Sequence, residues 1–436
     1  ALSSIRGSLT DSSGGILAEA RVTVLDVSRG SSRALVTSGT GQYIATSIAP
    51  GTYTVRAEAP GFRTVERTGV LVEVGQDVRV DLVLQPGDQT QTITVTEEIP
   101  FINTTGSQLG GTIGNQAINE LPINGRNYYR LLQLQPGIVT EIGSGTGNNQ
   151  YTNGRKNGDD LFRYEGIVTI AQTAGLSGIL NGAYRSGDSS SLLPLDAVQE
   201  FNTTTMPKAQ DGWKEGSTIS IGIKSGTNVL HGTAYAFGRN AQATDARNAF
   251  DTTGKATPAE LEQFGATASG PIMKDKLFWF AGYEGLRMTL KGVSNFKIPT
   301  STSTGDAVTS MVDACKAIKA ANPGAGINAV NELSANLSGL DRTNCVVTPR
   351  SATVNNLFPY NDSGSTSFHP DLSSNGPLNN GVFKGDYSPT ANHHLSGSFF
   401  RSRNTSIFNT DIGQIRPEWR NEIINRVDVS TAAWTW

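Results

Sequence analysis

Cysteine is nearly absent, with only Cys315 and Cys345 in 436 residues. That excludes a disulfide framework, and the separation of the pair matches no zinc spacing. Two readings stay open: unrelated thiols, or a single bridge within a loop of an exported protein. Histidine is as scarce, at His231, His369, His393 and His394. The adjacent His393 and His394 would point to opposite faces of a strand and cannot share one ion. No apolar run approaches the 18 residues of a membrane-crossing helix. A membrane β-barrel is not excluded, because its strands of about 9–11 residues alternate lipid-facing and lumen-facing side chains and keep hydropathy modest. Charge of one sign is lacking too: 35 Lys+Arg stand against 38 Asp+Glu, which gives nucleic acid no electrostatic footprint. There is no Gly-x-Ser-x-Gly elbow, no phosphate-binding Gly-x-x-x-x-Gly-Lys-Ser/Thr loop and no His-Glu-x-x-His. An enzyme is therefore not expected, nor a cofactor. The chain opens at Ala1 with neither an initiator Met nor a basic-then-apolar leader; if the protein is exported, its signal peptide is expected to have been removed.

What is plentiful is glycine, at 49 residues, together with Ser, Thr and Asn. Gly and Asn tolerate the positive φ that turns require, so the mixture suits β-structure with many turns. Length allows two to four domains. Over 5–84, short strands are expected at Ile5–Thr10, Arg21–Asp26, Gln42–Ser47, Tyr53–Ala59 and Val78–Leu84. In Arg21–Leu25 and Val78–Leu84 the apolar residues recur at every second position, the period of a half-buried strand. Turn signals at Asp11–Gly15, Ala49-Pro50-Gly51 and Ala59-Pro60-Gly61 have β-sandwich spacing. Gly7, Asp11, Gly14-Gly15, Ala20-x-Val22-x-Val24, Gly41-x-Tyr43, Ile48-x-Pro50-Gly51-x-Tyr53-x-Val55 and Gly61-Phe62 resemble the carboxypeptidase regulatory-like domain. The resemblance implies a prealbumin-like, or carbohydrate-binding-like, sandwich over residues 1–86. It implies no activity, since the fold hosts many roles.

Downstream, Ile118-Asn119-Glu120-Leu121-Pro122-Ile123-Asn124-Gly125-Arg126-Asn127 precedes Leu131–Leu134 and Pro136-Gly137, with a short helix expected at Tyr128–Leu134. Val198–Phe201 leads to Ser217–Lys224 and Lys224-Ser225-Gly226-Thr227-Asn228. These segments resemble the plug of TonB-dependent outer-membrane receptors. The resemblance implies an α+β plug over 99–228, with Leu121, Pro122, Asn124, Gly125, Arg126 and Asn127 as a structural motif rather than ligand contacts. Where that family has an Asp-Gly pair, this chain has Glu165-Gly166, and Thr169–Asn181 is also atypical.

Residues 229–436 read as strands joined alternately by long and short connections. Expected strands are Val229–Phe237, Gln263–Gly270, Lys276–Arg287, Gly381–Tyr387, Leu395–Arg401 and Ile423–Trp436. Tight turns at Pro271–Asp275 and Ser388–His393 alternate with long polar stretches, the longest at 289–380. That asymmetry is the one outer-membrane barrels show between periplasmic turns and extracellular loops. Phe278-Trp279-Phe280, Trp434 and Trp436 are expected in aromatic girdles. Lys224–Asn228 with His231-Gly232, and Phe264-Gly265 through Gly270-Pro271-Ile272 to Phe278, resemble the Oar-like branch of the family. The fold class implied is mainly β: sandwich, plug and a partial antiparallel transmembrane barrel. Six strands cannot close around a plug, since barrels that hold one have roughly 22. The chain is therefore expected to be an N-terminal fragment, its sheet curved with both edges free.

The resemblance also implies partners. TonB would pull from the periplasm, lipid would surround the strands, and an extracellular ligand (siderophore, saccharide, peptide or protein) would bind loops and plug. Residues 87–98 are expected as a linker. Within it Thr92, Ile93, Thr94, Val95 and Thr96 are either a last edge strand or a TonB box, because extended β-branched peptide suits strand addition. The implied function is energised nutrient uptake across the outer membrane of a Gram-negative bacterium, with the N-terminal domain periplasmic. A surface-exposed binding or adhesion protein of the same architecture is the alternative.

Overall fold

The computed structural model describes residues 3–95, 109–121, 128–140, 150–154, 161–168, 193–206, 217–240, 259–291, 296–297, 311–347, 367–368, 373–408 and 421–435. Nine strands build the first unit: β1 (Ser3–Asp11), β2 (Arg21–Asp26), β3 (Ser32–Val36), β4 (Gln42–Ile48), β5 (Gly51–Glu58), β6 (Thr64–Val72), β7 (Asp77–Arg79), β8 (Leu82–Leu84) and β9 (Thr92–Val95). One sheet runs β4-β1-β7 with β8 also on β1; the other runs β3-β2-β5-β6-β9. Alternation places Val22, Val24, Tyr53, Val55 and Ala57 in the interface with Ile5, Leu9, Leu82 and Leu84. Fully burying each Val or Leu of this size contributes about 1.5–3 kcal/mol. Gly7 is demanded by a close approach, since a Cβ there would lie 1.8 Å from the Val80 carbonyl oxygen. That same carbonyl accepts the buried Tyr43 hydroxyl at 2.6 Å.

The expected linker needs correcting here. Residues 92–95 join the sandwich, pairing in parallel with β6 from Thr64↔Thr92 to Arg67↔Val95. Ile93 and Val95 pack on its core, which supplies the apolar contact a free linker would lack. Strand β6 is another departure, since no strand is expected from the run Glu66-Arg67-Thr68-Gly69. It forms because Val65, Val70 and Val72 are buried on either side of that polar centre.

The second unit holds β10 (Gly110–Gly114), α1 (Asn115–Glu120), a 3-10 helix at Tyr128–Leu134, β11 (Ile138–Thr140), β12 (Gln150–Thr152), β13 (Leu161–Tyr164), β14 (Ile167–Val168), β15 (Val198–Thr204) and β16 (Thr218–Ile223). Its main sheet has the order β10-β15-β16-β13-β14. Six residues of β16 in succession are buried, because the strand lies centrally with both faces covered.

The third unit is a six-stranded antiparallel meander of β17 (His231–Asn240), β18 (Ala259–Met273), β19 (Leu277–Lys291), β24 (Ser373–Thr390), β25 (His393–Phe408) and β26 (Asn421–Thr435). Between β19 and β24 lie β20 (Phe296–Lys297), α2 (Met311–Ala321), a 3-10 helix at Pro323–Ala329, α3 (Glu332–Leu337), β21 (Leu340–Asp341), β22 (Val346–Val347) and β23 (Ser367–Phe368). This insertion corrects the expectation of a plain polar loop. Strands β18, β19, β24 and β25 also extend beyond their expected limits on the long-connection side, by continuous pairing such as Lys291↔Ser373. Strands β17 and β26 stand at the two ends of the sheet order.

Candidate functional site

One face of the meander carries exposed Phe264, Tyr283, Phe383, Phe399, Ile424 and Trp434. The other buries Gln263, Thr267, Ser269, Glu284, Asn380, Lys384 and Ser402 beneath the second unit. Exposed apolar residues on the outer face are what a sheet facing lipid needs, while the inner face mixes these polar residues with buried Leu286, Leu378, Val382, Phe400 and Val429. No helix among the described residues is long and apolar enough to cross a membrane. The girdle expectation needs a correction: Phe278 and Phe280 face inward and are buried, Phe280 within the second unit's core. Alternation allows only Trp279 of that triplet to share the outer face with Tyr283, and the inner space at this level is filled by the plug. Trp434 is 58% exposed and its ring lies 5.8 Å from that of His393; Trp436 lies outside the described residues.

Three carboxylates tie the plug to these strands. Asp196, in the 3-10 turn Leu195–Ala197 that opens β15, accepts Lys224 Nζ at 2.7 Å and Thr267 Oγ1 at 2.6 Å, and also the Thr233 hydroxyl. Burial works against its charge, but the bonds from Lys224, Thr233 and Thr267 hold the carboxyl below its ordinary range. Glu284 accepts the Leu195 N–H at 3.2 Å and the Tyr235 hydroxyl at 2.5 Å. Tyr235 reaches it by crossing Gly265, where a Cβ would sit 2.5 Å from the Tyr235 oxygen. Glu165 accepts the Ile223 N–H at 2.8 Å and Lys384 Nζ at 3.1 Å.

The last bond explains the Glu165-Gly166 departure. Both residues have positive φ, 46° and 86°, and make the two-residue turn between β13 and β14. Such turns favour Asp-Gly or Asn-Gly. The longer glutamate accepts the left-handed backbone and gains the reach to Lys384. Sequence reading missed Lys384, Asp196 and Glu284. For Lys384 and Glu284 the available signal was a charged residue at an inward position of a strand; Asp196, in a 3-10 turn, offered no such period.

At the short-turn end the sandwich meets plug and meander together. The Asp26 carboxylate caps the following turn, accepting the N–H of Ser28 at 2.9 Å and that of Arg29 at 3.0 Å. It also pairs with the Arg29 guanidinium. Burial is the largest influence and opposes the Arg29 charge, yet Asp26, Asp386 and Tyr53 together outweigh it and the pKa is raised. Arg29 Nε donates to the Gly226 carbonyl at 3.2 Å. Asn228 is the clip. Its Nδ2 donates to the Arg29 carbonyl and to Asp275 Oδ1, both at 2.7 Å, and its Oδ1 accepts the Asp275 N–H at 2.9 Å. A second contact joins the loop after β6: Thr112 Oγ1 donates to Glu73 Oε2 at 2.8 Å, and the Val74 N–H donates to Glu200. Burial and the Glu73 carboxylate together push the Glu200 carboxyl up to about 7.

Of the residues singled out from sequence, Thr92–Val95 form β9, with Thr92 and Thr94 exposed. Leu121 follows α1 and is 40% exposed. Thr96, Pro122, Asn124, Gly125, Arg126 and Asn127 lie outside the described residues, as does Thr169–Asn181. Cys315 and Cys345 form a disulfide that braces α2 against the β21–β22 hairpin.

Comparison with known proteins adds identity to this geometry. Residues 222–436 match the outer membrane beta barrel domain, and residues 4–85 match the carboxypeptidase regulatory-like domain. The TonB-dependent transporter Oar of Myxococcus xanthus is 25% identical over 268 residues, covering 57% of this chain and 23% of that protein. The chain thus spans about a quarter of the length of that relative. Among solved structures, the siderophore receptor PirA of Acinetobacter baumannii aligns with a TM-score of 0.40 at 13% identity, over 70% of this chain and 33% of that one. A ferric enterobactin receptor, PfeA of Pseudomonas aeruginosa, aligns with a TM-score of 0.41 at 12% identity, over 70% and 34% respectively.

The chain thus carries an outer membrane beta barrel domain at residues 222–436, preceded by a carboxypeptidase regulatory-like domain at residues 4–85. It is similar to the TonB-dependent transporter Oar, and its barrel domain places it in the outer membrane of a Gram-negative bacterium.

Proposed function

We propose that the chain is the N-terminal part of a receptor that takes up a scarce nutrient by plug rearrangement under TonB pull. The observation that carries this reading is the plug's attachment. Among the described residues the plug is a separate sheet held to the meander without a covalent link, by three carboxylate clusters at Asp196, Glu284 and Glu165 and by packing on Phe280, Val382, Phe400 and Val429, contacts that a pull can break. On this reading the domains are 1–86, 87–98, 99–228 and 229–436, with β9 as the C-terminal addition to the first.

Thr92–Thr96 is the proposed TonB box. Strand β9 ends its sheet, so its outer edge can accept an added strand whose backbone bonds supply the affinity. The extracellular ligand, whether siderophore, saccharide, peptide or protein, would reach the plug from the long-connection side. No catalytic step is assigned. Cells carrying the full-length receptor, with and without TonB, should be offered a panel of radiolabelled ferric siderophores, oligosaccharides and peptides. TonB-dependent accumulation of one class supports uptake; equal retention at the cell surface in both strains supports the binding or adhesion reading instead.

A further inference from the structure

Three loops at one end of the sandwich reach the plug and the meander. The turn at 26–31 holds Gly226 and Asn228, as described above. Pro50, between β4 and β5, lies over Gly222, where a Cβ would stand 3.6 Å from Pro50 Cγ. The loop at 73–76 contributes the Glu73–Thr112 and Val74–Glu200 bonds, and the Val74 side chain lies against Gly222 as well. Thr112, Glu200 and Gly222 sit on β10, β15 and β16, three neighbouring strands of the plug sheet.

Besides the small apolar contact of Pro50 and Val74 with Gly222, the contacts are individual polar bonds, and among the described residues no sandwich residue belongs to the plug's hydrophobic core. Interfaces of this polar kind favour relative motion of the units. Strand β6 links the partner-facing edge to that interface: its Thr64–Arg67 end pairs with β9, and its Val72 end runs directly into 73–76.

We propose that the sandwich is a latch: docked, it holds the plug sheet in its resting arrangement against the meander, and it must undock before that sheet can move. The latch is a property of the docking itself and stands whatever supplies the pull.

The test uses the full-length receptor in outer membranes. A Cβ on residue 222 would lie 3.5 Å from Val74 Cβ, inside the range a disulfide spans. The double variant Val74→Cys/Gly222→Cys should therefore cross-link under mild oxidation and release under reductant. Hydrogen exchange is then read in Gly110–Gly114 and Val198–Thr204. If the undocked form is a minor state of about 1–10%, locking should slow exchange of these strands by roughly tenfold relative to the reduced protein. Asn228→Ala, which removes the clip, should accelerate it by a similar factor, and the oxidised lock placed in that background should cancel the acceleration. Wild type with and without reductant controls for the native Cys315–Cys345 bond. Two results would overturn the latch: no cross-link under added oxidant, or exchange in β10 and β15 indifferent to the lock. Should Asn228→Ala disturb the meander, faster exchange in β18 and β19 will reveal it, and the oxidised-against-reduced comparison decides alone.

Discussion

Breaking the Cys315–Cys345 bond should unfold the insertion between β19 and β24 while leaving the meander intact. The braced segment, 311–347, is shorter than the roughly 40 residues below which a domain usually needs a cross-link or metal. Its core comprises Val330, Ala335 and Leu340 beside the two half-cystines, with Ile318 and Val347 at the margin. Burial of Val330 and Leu340 contributes about 2 kcal/mol each. The bridge spans a sequence separation of 30, and closing a loop of that length removes about 3–4 kcal/mol of unfolded-state entropy. The bridge thus matches the contribution of the two largest core side chains. A loss of 3–4 kcal/mol multiplies the population of the open form by on the order of 10²–10³. Cys315→Ser/Cys345→Ser, or reductant on the wild type, should raise hydrogen exchange throughout Met311–Ala321 by that order. Exchange in Leu277–Lys291 should stay unchanged. Undiminished protection of α2 after reduction would show that its packing suffices without the bond.

Asp196→Ala leaves Lys224, Thr233 and Thr267 without their shared acceptor. It should cost the plug attachment about 1–3 kcal/mol, read as earlier protease cleavage of the plug in membranes during urea titration. Glu200 gives the docked state a pH dependence. Its pKa is raised to about 7 when docked, so the docked form binds the proton more tightly. Docking should be strongest well below pH 7 and weaken as pH rises through it. Spin labels at Ser13 and Asn392 should show longer and broader separations at pH 8 than at pH 5.5, a difference that Glu200→Gln removes. Topology makes a further expectation: an epitope inserted at Gly324 should bind antibody on intact cells, and one inserted at Ser13 only after permeabilisation.

The legible parts of this chain were those whose burial follows a local period. Arg21–Asp26 alternates because one face meets the sandwich core, and the turns at Pro271–Asp275 and Ser388–His393 mark the short-connection side by their residues alone. Pairings across long separations were not legible. Glu165 and Lys384 lie 219 residues apart, and nothing local to either shows that a turn glutamate and a strand lysine meet. Asn228 stood within a recognisable motif, yet its clip to Arg29 and Asp275 depends on three units converging. Strand β6 escaped notice because its centre is polar and only its ends are buried. Phe278 and Phe280 misled for the opposite reason: aromatic residues near a short turn suit a girdle or a plug-filled lumen equally, and only the strand's parity decides between them.

The proposed engagement of β9 by TonB can be tested directly in living cells. Thr92→Cys and Thr94→Cys, both exposed on that strand, would be paired with single cysteines in the C-terminal domain of TonB, with Ser13→Cys as a control on the same sandwich. The account predicts cross-links from positions 92 and 94 but not from 13, and their loss when Val95→Pro removes a backbone donor that strand addition needs. Cross-linking that is absent at 92 and 94, or no stronger there than at 13, would contradict it.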